Sequence, residues 1–170
     1  MCKLEAETDP KSHGNLGSCD AGWVRYEESC IFVQNEDAYF HEDAEAYCLE
    51  NSASLVRINS DNKRRFIATL LPTRNHVKYN YWIGLKKLDE EWVWSDGSTL
   101  HYDNWVVNEP TWTIYKRCVE TDWRGFWISS DCTNNRWTIC EKPAGKEKIF
   151  QSILYVSIEI NCLLELIDTF

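Results

Sequence analysis

The stretch Tyr81-Trp82-Ile83-Gly84-Leu85 decides the fold, and the rest of the chain arranges itself around it. It reads as a strand, and residues 91–95, which overlap Trp92-Val93-Trp94-Ser95-Asp96-Gly97, read as a second strand closing on a Ser-Asp-Gly turn. Further on come Tyr102-Asp103-Asn104-Trp105, Glu109-Pro110, Cys118-Val119-Glu120, Cys132 and Ile139-Cys140-Glu141-Lys142. Upstream stand Cys19, Cys30 and Cys48, so a skeleton of cysteines and tryptophans extends over residues 19–142.

Nine Trp, eight Tyr and six Phe in 170 residues supply enough bulky apolar surface for a compact core. Eight cysteines point to an oxidising compartment, because cytosolic thiols stay reduced. No Cys-x-x-Cys pair occurs and the four histidines are scattered, which argues against zinc. The net charge of −9 is local: residues 1–50 hold twelve acids against three bases, and residues 51–170 hold fifteen of each. The excess reads as a solubilising surface, and without a Lys/Arg cluster it opposes nucleic-acid binding.

The opening Met1-Cys2-Lys3-Leu4-Glu5 has no apolar stretch, so the signal peptide expected of an exported, oxidised domain is not visible in this chain. The apolar segment from Ile149 to Phe170 carries Glu159, Glu165 and Asp168, and its longest uncharged run, Ile149 to Ile158, is half of what a membrane span needs. No membrane span is expected. No Asn-x-Ser/Thr sequon occurs, so N-glycosylation is not expected either.

Three divisions follow: a flexible acidic leader over 1–18, a domain over 19–142, and an apolar tail over 143–170. Gly22 to Gln34 is strand-like, interrupted by Glu27-Glu28-Ser29, as in a hairpin. His41 to Asn51 reads as a helix, with Glu42 and Asp43 in its first turn and Ala44, Tyr47, Cys48 and Asn51 on one inward face. Leu55 to Ile58 is a short strand. Ser60 or Asp61 caps a second helix that turns Phe66, Ile67 and Leu70 inward and stops at Pro72. Residues 100–113 show no clean period and read as loop, and 117–120, 126–128 and 136–141 are short strands. Past Lys142, Leu154 to Ile160 alternate like a strand and Leu163 to Ile167 look helical. Strands, two helices, then strands around a long loop make an α+β domain.

These landmarks resemble the C-type lectin-like domain in its long form, as in invertebrate-type secreted or cell-surface lectin-like proteins. Ala44 to Ile58 looks like the family's first helix and following strand, Trp82-Ile83-Gly84-Leu85 like its core motif, and Trp94, Asp96-Gly97, Tyr102 and Asn104-Trp105 follow at its spacing. The resemblance implies two helices packed on small antiparallel sheets with a long loop region, stapled by Cys48–Cys140 and Cys118–Cys132, with Cys19–Cys30 marking the long form. Cys2 and Cys162 are left to pair together, to pair between chains as a disulfide-linked oligomer, or to stay free. The departures are His41, where the family has an aromatic, and Ser52, where it has glycine.

In sugar-binding members the resemblance implies one calcium, held by five side chains that include a Glu-Pro-Asn pair and an Asn-Asp pair. Calcium takes six to eight oxygens, several of them anionic. Here Glu109 keeps its carboxylate, but Thr111 stands for the amide, Lys116 for a second carboxylate, and Ile128-Ser129 for Asn-Asp. The usual calcium–sugar site is therefore expected to be lost, though calcium remains possible through Glu109, Glu120, Asp122 and Asp131. Glu141 stands where some relatives hold a structural calcium against the second helix, with Asn59 and Asp61 as further oxygens. Trp82, Trp94, Trp105 and Trp127 match core positions. Trp112 and Tyr115 lie in the loop before Cys118, either stacking on a ligand or folding over the loop. Candidate ligand-binding residues are Glu109, Thr111, Trp112, Tyr115 and Glu120; metal candidates are Glu109, Asp131 and Glu141.

No catalytic pattern is attached to a motif, so an enzyme is not expected. The resemblance implies an extracellular module that binds a glycan or protein ligand without the usual calcium. The alternatives are a calcium-dependent lectin with a rearranged site, or an acidic matrix protein.

Overall fold

The computed structural model describes residues 18–72, 79–111 and 113–145. The described strands and helices all fall within Cys19–Pro143, which forms a compact unit. Most of the expected leader and most of the expected tail, including its strand and helix, lie outside the described residues, as do Cys2, Cys162 and Trp112.

β1 (Val24–Tyr26) and β2 (Ser29–Tyr39) form the expected hairpin, turning at Glu27 with φ +50°. α1 (His41–Glu50) follows at once. Phe40 offers no side-chain cap, so the free amide of His41 is satisfied from elsewhere, by the carbonyl of Cys132 at 2.9 Å. Ala44 and Cys48 turn inward, but Asn51 is exposed at the end of the helix, its Nδ2 donating to the Tyr47 carbonyl at 2.9 Å. Ser52 has φ +55°, which accounts for glycine being the usual residue there.

β3 is shorter than expected, Ser54–Leu55, although the amide of Val56 still donates to the Ile139 carbonyl at 2.9 Å. α2 (Asp61–Leu70) is capped by Ser60, whose hydroxyl accepts from the Lys63 amide at 3.2 Å. β4 (Tyr81–Leu88), β5 (Glu91–Trp94), β6 (Cys118–Thr121), β7 (Trp127–Ser130) and β8 (Arg136–Pro143) complete one sheet in the order β1-β2-β8-β4-β6-β7. β3 adds to β8 and β5 to β4; every pairing is antiparallel except β4 with β8.

Alternation along β4 builds two cores. Tyr81, Ile83 and Leu85 pack with Ile31, Ile67 and Trp127, while Trp82 packs with Ala44, Cys48, Cys118 and Cys140. Each fully buried isoleucine contributes roughly 1.5–3 kcal/mol. Gly84 is required by close approach: a Cβ there would lie 2.8 Å from the Leu55 carbonyl oxygen. His41 fills the aromatic position as an aromatic does, buried edge-on to Trp82 with ring centroids 5.2 Å apart. Disulfides join Cys19 to Cys30, Cys48 to Cys140 and Cys118 to Cys132. Among the described residues no helix is long and apolar enough to cross a membrane.

Candidate functional site

The long loop between β5 and β6 is pinned to the edge strand β7. The Trp127 amide donates to the Asn104 carbonyl and the Val106 amide to the Trp127 carbonyl, both at 2.9 Å, and Asn104 Nδ2 reaches the Gly125 carbonyl at 2.9 Å. Trp105 stands edge-on to Trp127 at 5.5 Å, so an aromatic contact backs the same register. The Glu109 amide then closes a turn onto the Val106 carbonyl at 2.9 Å, Asn108 taking φ +69°, and the Glu109–Pro110 peptide is cis. These contacts place the Glu109 carboxylate opposite Ser129.

What surrounds that carboxylate is a set of donors. Oε2 accepts from the amides of Thr111 and Ser129, both at 3.0 Å, and from the Ser129 hydroxyl. The Thr111 and Ser129 hydroxyls lie 3.1 Å apart. Lys116 Nζ donates to Thr111 Oγ1 at 2.8 Å and stands 3.8 Å from Glu109 Oε1. Burial works against ionisation of Glu109, but the hydrogen bonds from Ser129 and Thr111 and the Lys116 charge outweigh it, holding the carboxyl below its usual range. The positive charge beside the Glu109 carboxylate is thus the Lys116 ammonium. The two bonds from Ser129 are the part that sequence reading missed; its hydroxyl registered only as the loss of a metal ligand.

The other acidic candidates are dispersed. Glu120 lies on the Cys118 side of β6, 3% exposed, accepting from Asn80 Nδ2 at 2.7 Å and from Arg136 Nε. Asp122 closes its own turn, accepting from the amides of Arg124 at 2.8 Å and Phe126 at 3.0 Å and from Arg124 Nε at 2.8 Å. Asp131 accepts from the Thr133 amide and hydroxyl at 2.9 and 2.8 Å. The rearranged site of Glu109, Glu120, Asp122 and Asp131 is therefore not assembled, because each carboxylate satisfies donors of a different local structure. Among the described residues no three His, Cys, Asp or Glu side chains converge as a metal site would need.

Glu141 presents the same chemistry a second time. Its Oε1 accepts from Lys63 Nζ at 2.6 Å and its Oε2 from the Arg57 amide at 3.1 Å. Lys63 is 5% exposed, so this ammonium ties α2 to β8 from inside. Asn59 and Asp61 do not join it: Asn59 is exposed, and Asp61 is engaged by Arg64 and Arg65 at 2.7 and 2.8 Å.

Around the Glu109 cluster the loop surface is apolar and open. Val107, Ile114 and Tyr115 are 84%, 79% and 71% exposed. Tyr115 is thus presented to solvent rather than folded over the loop.

Comparison with known proteins agrees with this architecture. The family model for the lectin C-type domain matches residues 38–142. Human asialoglycoprotein receptor 2 is 34% identical over 133 residues, a match covering 73% of this chain and 40% of that receptor's length. The C-type lectin lectoxin-Lio1 of Erythrolamprus poecilogyrus is 32% identical over 139 residues, covering 75% of this chain and 83% of that lectin. Among solved structures, the carbohydrate-recognition domain of mouse scavenger receptor C-type lectin superposes with a TM-score of 0.68 at 28% identity, covering 76% of this chain and 99% of that domain. The chain belongs to the C-type lectin domain family and carries that family's ligand-binding recognition module.

Proposed function

We propose that the domain is an extracellular recognition module that binds a glycan or protein ligand without calcium at the Glu109 loop. One observation carries this reading: Lys116 Nζ, 2.8 Å from Thr111 Oγ1 and 3.8 Å from Glu109 Oε1, supplies the charge that a calcium ion would otherwise bring. A dication entering there meets an ammonium and a carboxylate already committed to Ser129 and Thr111. Three disulfides support an oxidising, extracellular setting. The relatives support the ligand classes, since the matched scavenger-receptor structure is that of a carbohydrate-recognition domain. Tyr115, with Val107 and Ile114, supplies the exposed apolar contact surface, and aromatic side chains of this kind anchor interfaces. The reading includes no turnover, because it assigns these groups to binding alone.

The test is a glycan array and a panel of extracellular proteins probed with the oxidised full chain, in calcium and again in EDTA. Binding that persists in EDTA and weakens in Tyr115→Ala supports the reading. Binding that is lost in EDTA means that calcium is held after all and sinks it.

A further inference from the structure

A cleft, built from other elements than the Glu109 loop, opens where β4 and β8 begin side by side. It measures about 340 Å³ and is lined by Ala38, Tyr79, Asn80, Asn135, Arg136 and Trp137. Its volume falls within the range of small-molecule sites, roughly 300–1,000 Å³. Tyr79 and Trp137 stack with ring centroids 3.7 Å apart, giving the cleft an aromatic wall.

The polar side is held from behind. Glu120 is buried beneath it and accepts from Asn80 Nδ2 at 2.7 Å and from Arg136 Nε, while Arg136 Nη1 donates to the Asn135 carbonyl at 2.8 Å. Burying a carboxylate is costly unless it is paired, and both partners that offset the cost here line the cleft. The result is a pair of polar side chains fixed in place before any ligand arrives. Arg136 Nη2, Asn80 Oδ1 and the side-chain amide of Asn135 make no hydrogen bond among the described residues.

The charge and the unused groups select the ligand class. Glu120 offsets the charge of Arg136, which weakens the pull on an anion, and Glu120 is itself buried and paired beneath the cleft, so it is not presented to a cation. A purely apolar ligand would strip water from a guanidinium nitrogen and two amides, at about 1–3 kcal/mol for each group left unsatisfied. A ring with one CH-rich face and hydroxyls at its edge suits both walls. We infer that this cleft is a metal-independent binding site for a neutral pyranose sugar, which stacks on the Tyr79–Trp137 wall and hydrogen-bonds to Asn80, Asn135 and Arg136. The site is additional to the Glu109 loop, and it holds or fails independently of what that loop binds.

Saturation-transfer NMR and calorimetry on the oxidised full chain, in EDTA and again in calcium, test it, using the methyl glycosides of galactose, mannose, N-acetylglucosamine and N-acetylgalactosamine at millimolar concentration. Tyr79 and Asn135 are exposed, so Tyr79→Ala and Asn135→Ala leave the cores untouched. The expected result is that one glycoside binds, that each variant weakens it by about fivefold or more, and that Tyr115→Ala does not. No binding of any of the four overturns the proposal. So does binding that Tyr115→Ala abolishes and the cleft variants spare, which assigns the sugar to the loop and leaves the loop reading standing. A sugar that binds only in calcium overturns both.

Discussion

Replacing Glu141 by glutamine should be far more damaging than a change of one atom type suggests. Lys63 Nζ lies 2.6 Å from Glu141 Oε1 and the lysine is 5% exposed, so the variant strands an ammonium inside the domain. The gross attraction lost is about 6 kcal/mol at an effective dielectric constant of ~20. Part of it is recovered because glutamine still offers an oxygen, and measured losses for breaking a buried pair on one side run at about 3–5 kcal/mol. For a domain of this size that is a fall in melting temperature of roughly 10–30 °C. The assay is thermal and urea unfolding of the oxidised protein, with Glu141→Gln, Lys63→Met and both together. The double variant removes the stranded charge while keeping an acceptor for the Arg57 amide, so it should regain most of the loss. A loss below about 1 kcal/mol in Glu141→Gln, or a double variant no more stable than that single one, would refute the claim that the lysine acts as an internal counter-ion.

Three further outcomes are expected. Ser52→Gly should raise stability by about 1 kcal/mol, because residue 52 sits at φ +55°, and unchanged urea unfolding would show that the turn relaxes without cost. Burial pushes the His41 imidazole below its ordinary value of 6.5, outweighing the Glu45 carboxylate, while Lys86 adds to the lowering. The unfolded chain therefore binds the proton more readily, and stability should fall as pH drops below about 6.5, by at most ~1.4 kcal/mol per pH unit; His41→Phe should flatten that slope, and an unchanged slope would acquit His41. Removing the disulfide that closes the 92-residue separation, by changing Cys48 and Cys140 to alanine, should cost more than removing the one across 14 residues, Cys118 with Cys132. The chain-entropy difference is about 1.7 kcal/mol, and equal losses would point to native-state packing instead.

The sequence reveals this fold well wherever a landmark acts locally. The hairpin, the start of α1, the Ser60 cap and the strands around Trp82 follow from residues close in the chain, and the structure has them. The same locality explains why Lys116 could be read as hostile to calcium: it lies two residues before Cys118, in a ligand set where Thr111 and Ile128-Ser129 are also replacements and Glu109 alone is kept. Glu120 was harder, because its partners Asn80 and Arg136 lie 40 and 16 residues away and only the closing of β4, β6 and β8 brings them together. A signal was nevertheless present, since Glu120 shares its parity in β6 with Cys118 and so had to face inward.

Lys63 marks the boundary of what pattern reading reaches. It shares the spacing of Phe66, Ile67 and Leu70, the inward face of α2, and a lysine on such a face signals either a broken helix or a buried partner. Which of the two holds depends on where α2 docks, and nothing within the helix states that Glu141 waits 78 residues downstream. The two lysines share one logic. Glu109 and Glu141 would each be an unpaired negative charge within the fold if alone, and each has an ammonium beside it. Glu109 is less enclosed, and Lys116 remains about one-third exposed, so that pair contributes little to stability and acts chiefly by occupying the loop. Lys63 is enclosed, so its pair bears on folding. The same pairing of carboxylate with ammonium therefore has two separable consequences, one for the charge that the loop presents and one for whether α2 stays docked on the sheet.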